Sequence, residues 1–231
     1  MPLLLVLLGL IPNINHADYD TFSVDSSQSV FAVVTHKGGI GAAFAHNHLI
    51  SASSFQADLR MSEDNPALIT FELDVAVDSL RVDHEPDVRR WEDRIAALGI
   101  EDKLDTPGDR DRRRIRRTML GNGQIDASSY PKISVRSGSI QEAELDWCSG
   151  QSHSADVDVT IKGTTQTIVF DVCVGAEAGS RTIEAVGSST FSTFGIKPYS
   201  GVLGTVKNKD EIDFYSFIVA HPAAHADSLA G

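Results

Sequence analysis

Cysteine is scarce in this chain: its 231 residues include two, Cys148 and Cys173. That excludes a disulfide-dense scaffold, and the separation of the two excludes a C-x-x-C redox pair. One bridge between them is compatible with an oxidising compartment, although spacing does not decide it. Long apolar runs are missing as well. The most apolar stretch, PLLLVLLGLI at residues 2–11, is ten residues long, against the ~20 needed to cross a bilayer, so a polytopic membrane protein is excluded. Basic charge is in deficit, with 20 Lys and Arg against 32 Asp and Glu and a net charge of -12. Such a field repels duplex nucleic acid, which is not an expected partner. No G-x-S-x-G elbow, P-loop or dinucleotide glycine pattern occurs, and no acid–base pair stands out, so the chain does not read as an enzyme.

What remains is the composition of an ordinary globular protein, 42% hydrophobic and 23% charged. The apolar run at the start has the length of a signal-peptide core, followed by Pro12 and by a small residue, Ala17, before Asp18. Residues 1–17 are therefore read as a signal peptide and the mature chain as periplasmic or secreted; a buried first strand is the competing reading. From Tyr19 onward the pattern is alternation with β-branched enrichment, the mark of half-buried strands. In DVDVTI, Val157, Val159 and Ile161 face one way, and Ile168, Phe170, Val172 and Val174 repeat this after a turn at Lys162 to Thr165.

The middle of the chain departs from that pattern. Val88, Trp91, Ile95 and Leu98 are spaced three, four and three apart, which predicts an amphipathic helix with Pro86 in its first turn. A second helix is expected in PGDRDRRRIRRTML, anchored by Ile115 and Met119. Its arginines, Arg110, Arg112, Arg113, Arg114, Arg116 and Arg117, project outward. Glu101, Asp102, Asp105, Asp109 and Asp111 screen them, so a solvated, salt-bridged face is favoured over a phosphate or acidic-partner site. Strands on either side of a helical excursion indicate one all-β domain over residues 18–222, an antiparallel barrel capped by one or two short helices from the insertion at 85–119. Residues 223–231 read as a flexible tail. An eight-stranded barrel either fills with side chains or holds one small ligand. Ala32, Ala42, Ala52 and Ala76 are inward candidates that would leave volume, but a tapered, filled barrel uses alanines too.

The densest candidate site is histidine-based. His46 and His48 in AHNH share a strand face, and His36 lies opposite them if the two strands pair through Gly38 to Gly41. Three imidazoles could bind zinc, copper or iron, contact a polar head group, or serve as hydrogen-bonded handles at a barrel mouth. No carboxylate or cysteine completes a metal set by its spacing, so no metal or other cofactor is the first reading. His84 in DHEPD reads as a loop residue. Cys173 shares the wet face with Asp171.

The order of motifs resembles the YceI-like family, periplasmic lipocalin-like proteins that bind polyisoprenoids and other long-chain lipids. The resemblance rests on SVFAVVTH with Ser29, Val30, Val34 and His36; SSYPKISVRS with Tyr130 and Pro131; DVTIKGTTQTIVF with Gly163; SSTFSTFGIKP with Phe194, Gly195 and Ile196; and DEIDFYSFIVA. It implies an eight-stranded antiparallel lipocalin-like barrel whose tunnel holds an isoprenoid, isoprenoid quinone or fatty-chain lipid, without catalysis, for transport, storage or stress protection. On that basis Val30, Val34, Val157, Val159, Phe170, Val172 and Phe194 are expected to line the tunnel, with His36, His46 and His48 nearer a polar group. The expected partner is the chain lipid, with transient membrane contact and a homodimer as further expectations. The alternative is a metalloprotein, a carrier or an oxidoreductase, using the same three histidines. The stretch from Glu85 to Arg114 is longer and more charged than the family pattern.

Overall fold

The computed structural model describes residues 19–40, 46–62, 69–101, 103–177, 179–201 and 206–223. The apolar run at 2–11, the expected cleavage point after Ala17, Ala42 and residues 224–231 lie outside the described residues.

Among the described residues, twelve strand segments and two α-helices follow one another. They are β1 (Asp20–Val24), β2 (Val30–Gly38), β3 (His48–Ala52), β4 (Gln56–Met61), β5 (Ile69–Ala76), β6 (Leu80–Val82), α1 (Glu85–Ala97), α2 (Asp109–Leu120), β7 (Lys132–Glu142), β8 (Gln151–Ile161), β9 (Thr164–Glu177), β10 (Ser180–Thr190), β11 (Ser200–Gly201) and β12 (Val206–Pro222). β1, β4, β5, β7, β8, β9, β10 and β12 are hydrogen-bonded in that order, and β12 pairs back to β1, which closes an eight-stranded antiparallel barrel. Closure removes the free strand edges that would otherwise invite aggregation. β2, β3 and β6 pair in series from the other end of β12, as prolongations of β1, β4 and β5 beyond short interruptions.

Alternation builds the long hairpins as the sequence predicts. On β8, His153, Ala155, Val157, Val159 and Ile161 are buried, while Asp156 and Asp158 are exposed. Ile161 pairs with Thr164 across a two-residue turn in which Lys162 (φ 51°) and Gly163 (φ 74°) both take positive φ, the requirement of a type I′ hairpin. Gly163 has a second reason to lack a side chain: a Cβ there would stand 2.6 Å from the Tyr130 ring.

The buried side chains fall into two clusters. The inner one draws on the barrel's inward faces, including Phe22, Phe31, Leu59, Leu73, Val157, Phe170, Ile183 and Phe214, with Phe194 and Ile196 from the loop after β10. Ile115, Met119 and Leu120 of α2 pack against it, so α2 covers one end of the barrel. The outer cluster joins Val30, Ala32, Val34, Leu49 and Tyr215 to Val88, Trp91 and Ile95 of α1, which lies against the outside of the barrel wall. Trp91 sits 5.2 Å from Phe217 and 5.9 Å from Tyr215 between ring centroids. The helix starts with Pro86 and the acids Glu85 and Asp87 in its first turn, matching the positive end of its dipole, and stops before Gly99 at φ 71°.

This arrangement corrects the sequence reading at four positions. Val30 and Val34 face α1 and not the lumen; on β2 the lumen side carries Phe31, Val33 and Thr35. Ala32 shares the α1 face, and Ala76 is exposed. The physical reason is that β2 is covered on both sides. Its burial is nearly continuous, so alternation alone does not tell lumen from helix contact. Ala52 does pack against the inner cluster.

Candidate functional site

The barrel interior is the site that the sequence residues point to, and Val157, Val159, Phe170, Val172 and Phe194 all belong to its cluster. They come from β8, β9 and the turn at Ser192–Phe194. Ring contacts run across the same space: Phe31 lies 4.7 Å from Phe55 and 5.8 Å from Phe71, and Phe214 lies 5.9 Å from Phe170 and 6.3 Å from Phe194. Gly187 makes room for one of these rings, since a Cβ there would stand 2.8 Å from Phe170. Two open grooves lie elsewhere. One of about 420 Å³ runs along β9 and β10 past Thr167, Val169, Asp171 and Ser188. The other, about 380 Å³, is bounded by Arg113, Arg116, Arg117, Leu120 and Gly121.

The three histidines do not converge, because each is engaged by its own carboxylates. His36, on the α1 face of β2, bonds through Nε2 to Asp213 Oδ2 at 2.7 Å and through Nδ1 to Glu101 Oε2 at 3.0 Å. The Asp213 bond raises the imidazole pKa above its ordinary value, burial works the other way, and Glu101 reinforces the rise. Burial pushes the Asp213 carboxyl up, but hydrogen bonds from His36 and Ser188 outweigh it and the net direction is down. His48 Nδ1 lies 2.7 Å from Oδ2 of the fully buried Asp83, whose Oδ1 accepts the Leu49 N–H at 2.9 Å. His46 is exposed and approaches Asp105 Oδ2 at 3.6 Å. Its ring stands 6.1 Å from that of His48. Among the described residues no three His, Cys, Asp or Glu side chains are placed to hold a metal ion. The expected three-histidine site is therefore not formed: pairing Thr35 with His48 puts His48 on the face opposite to His36.

Sequence reasoning missed Asn47, the middle of the tripeptide. It is buried, accepts the Lys37 N–H at 2.9 Å, donates to Lys103 O at 3.0 Å, and its own N–H reaches Asp105 Oδ2 at 3.1 Å. It ties the start of β3 to β2 and to the segment between the helices. Also missed was the buried Glu184 on β10, which receives Arg94 of α1 through Nε at 2.7 Å and the Tyr215 hydroxyl at 3.0 Å. Burial, then Glu184, drives the Tyr215 hydroxyl pKa upward. A lone acid in TIEAV carries no signal of its partner ninety residues away.

The arginine helix is only partly screened as expected. Arg112 pairs with Asp109 and Arg114 with Asp111. Arg116 instead donates to backbone carbonyls of Leu80, at 2.7 Å, and Asp78, which fastens α2 over the barrel end. Arg113 and Arg117 are exposed along the groove and make no ion pair among the described residues. His84 stands at the start of α1, 3.2 Å from Asp87. Cys148 and Cys173 are bonded, joining the loop after β7 to the outer face of β9.

With this geometry in view, the YceI-like domain model matches residues 22–217. The chain belongs to the YceI-like domain family. Solved structures share the fold at low identity. BcnA of Burkholderia cenocepacia matches with a TM-score of 0.58 at 17% identity, over 85% of this chain and 99% of its own. The YCEI protein of Campylobacter jejuni matches with a TM-score of 0.51 at 12% identity, over 75% of this chain and 84% of its own. A polyisoprenoid binding domain from Saccharophagus degradans gives 0.48 at 11% identity, over 87% of this chain and 98% of its own. No curated protein sequence matches this YceI-like chain.

Proposed function

We propose that this YceI-like protein is an exported, non-catalytic carrier that holds a long-chain apolar lipid, of the isoprenoid or fatty-chain class, inside its barrel. The observation that carries the reading is the inner cluster itself. The inward positions of β5, β8, β9 and β12 hold no Asp, Glu, Lys or Arg, and those of β10 hold one, Arg181, at the end away from α2. An apolar chain gains about 0.8 kcal/mol for each CH₂ withdrawn from water, so such a lining supports tight binding with few polar contacts. Loose selectivity among chains follows. The disulfide and the apolar run at residues 2–11 support export to an oxidising compartment. Arg113 and Arg117, which make no ion pair among the described residues, support passing contact with an anionic membrane surface, where each cation near the surface adds about 1 kcal/mol.

A second reading, a filled structural barrel, is favoured by the rings of Phe170, Phe194 and Phe214 that meet across the interior. In the carrier reading these rings swing aside as the chain enters. Mass spectrometry of a lipid extract from natively purified protein tests the choice, together with uptake of an added isoprenoid alcohol. The carrier reading expects a chain lipid at near one equivalent. A lipid-free protein that takes up no added isoprenoid is the filled barrel.

A further inference from the structure

Among the described residues two lumen-side polar atoms are buried without a hydrogen-bond partner, Thr35 Oγ1 and a ring nitrogen of His153, and the imidazole is the larger group to leave unsatisfied. His153 is 4% exposed and stands on β8 in the inward alternation with Ala155 and Val157. Its Nδ1 is buried and has no hydrogen-bond partner among the described residues. Among the described residues the other buried histidines each have a carboxylate: His36 has Asp213 and Glu101, and His48 has Asp83. A ring nitrogen withdrawn from water without a partner costs stability, so its persistence in a largely apolar interior calls for a compensating contact.

The surroundings say what that contact is. Across the sheet, His153 is level with Val172 on β9, Val172 with Ala185 on β10, and Ala185 with Ser216 on β12. Beside it on β8 the next inward residue is Ala155. In this row the neighbours on β9 and β10 are thus short and Phe31 of β2 follows Ser216, while Phe170, level with Ala155, stands one inward step towards the other end of β8, where Phe194 and Phe214 meet it. That other end is the one covered by Ile115, Met119 and Leu120 of α2. Charge at the His153 end is mixed. Glu142 is the cross-strand neighbour of His153 on β7, Glu144 and Asp146 follow in the loop held by the disulfide, and Arg181 stands at the same end of β10 in the inward alternation with Ile183 and Ala185.

We propose that His153 is the hydrogen-bonding partner of the bound lipid's polar group. The lipid is a long chain ending in a neutral oxygen function, a hydroxyl or a carbonyl, with that end at His153 and its hydrocarbon running towards α2. An imidazole can donate to a carbonyl or accept from a hydroxyl, so either function satisfies it. An anionic head is disfavoured because the row of His153, with Val172, Ala185 and Ser216, holds no cation, and a buried charge without a partner costs far more than a neutral oxygen. The inference rests on the carrier reading and deepens it.

Three C20 isoprenoids with one skeleton test it: phytanol, the hydrocarbon phytane, and phytanic acid. Each pair is offered to the purified protein in equimolar competition, and the retained ratio is measured by gas chromatography. The wild type is expected to retain phytanol over both others. In His153→Leu the phytanol-to-phytane ratio falls by about tenfold, the scale of one buried hydrogen bond, while in His153→Gln it falls less. Thermal melting confirms that both variants fold, and the Leu variant melts at or above the wild type because it removes an unpaired polar atom. An unchanged phytanol-to-phytane ratio in His153→Leu overturns the role of His153. Preferential retention of phytanic acid overturns the neutral class. Failure of the wild type to retain any of the three overturns the carrier reading and this inference with it.

Discussion

Asp213 on β12 accepts a hydrogen bond from His36 on β2 at 2.7 Å, beneath the segment that follows α1, and Glu101 from that segment takes the other ring nitrogen at 3.0 Å. The pKa of His36 is raised above the ordinary 6.5, chiefly by Asp213. The stabilisation that follows is complete below pH 6.5 and is lost as pH rises through the raised value. The Asp213 carboxyl is held below its ordinary 3.8; burial opposes this and the bonds from His36 and Ser188 prevail. Its contribution is present above pH 3.8 and is lost as pH falls through the lowered value. His36→Gln should therefore melt below the wild type at pH 6, by the worth of a charged hydrogen bond, about 1.5–3 kcal/mol. The gap should shrink by pH 9. A gap that stays constant from pH 5.5 to 9 means that the imidazolium contributes nothing.

Asp83 is fully buried and serves both His48 and the Leu49 backbone. Asp83→Ala leaves a buried imidazole and a buried N–H without their acceptor, and the expected loss is about 3–5 kcal/mol. At about 2–4 °C per kcal/mol for a chain of this size, the melting temperature should fall by roughly 6–20 °C. Thermal denaturation followed by circular dichroism reads this directly, and a fall under 3 °C contradicts the buried pair.

The Cys148–Cys173 bond closes a sequence separation of 25 residues. Loop-closure entropy sets its contribution at about 3 kcal/mol. The double variant Cys148→Ser with Cys173→Ser should melt lower by that amount and should no longer respond to dithiothreitol. Thiol labelling of the unfolded, unreduced wild type checks the bond itself: two labelled cysteines would show that it is absent.

Val34 and Val157 separate packing from cargo, since the first lies under α1 and the second in the barrel interior. Val34→Ala should cost about 1–3 kcal/mol through the cavity that it leaves, with lipid retention unchanged. Val157→Phe adds bulk to the lumen and should reduce retained lipid several-fold while the protein stays folded. Equal effects of the two on lipid retention would remove the distinction between the faces.

Arg113 and Arg117 make no ion pair among the described residues and lie along the groove beside α2. Co-sedimentation with vesicles containing phosphatidylglycerol should be strongest at low salt, and Arg113→Glu with Arg117→Glu should abolish it. Sedimentation with purely phosphatidylcholine vesicles that matches the anionic ones is the contrary result.

Much of the fold was legible from local pattern. The period-two runs around Val157 and Phe170 and the three-four-three spacing of Val88, Trp91, Ile95 and Leu98 are physical requirements of a half-buried strand and an amphipathic helix, and both stand where they were expected. So do Ile115 and Met119 as the anchors of the arginine helix. The histidine site was not legible, since sharing a short stretch of sequence did not bring His36, His46 and His48 together. His36 is paired with residues 65 and 177 positions away, and His48 with one 35 positions away. His153 escaped notice because a polar residue opening an alternating strand looks like a strand end until its burial is known.

By itself the sequence determined the strand and helix segments, the split between wet and buried faces on β8 and β9, and the net negative charge, because each depends on side chains close together along the chain. The tertiary structure alone decided that Val30 and Val34 face a helix and Phe31 the lumen, that Arg116 fastens α2 to the carbonyls of Asp78 and Leu80, and that Nδ1 of His153 is left without a partner among the described residues. Which covering element reaches a strand, and which carboxylate reaches an imidazole, depends on contacts between distant segments that no local period encodes.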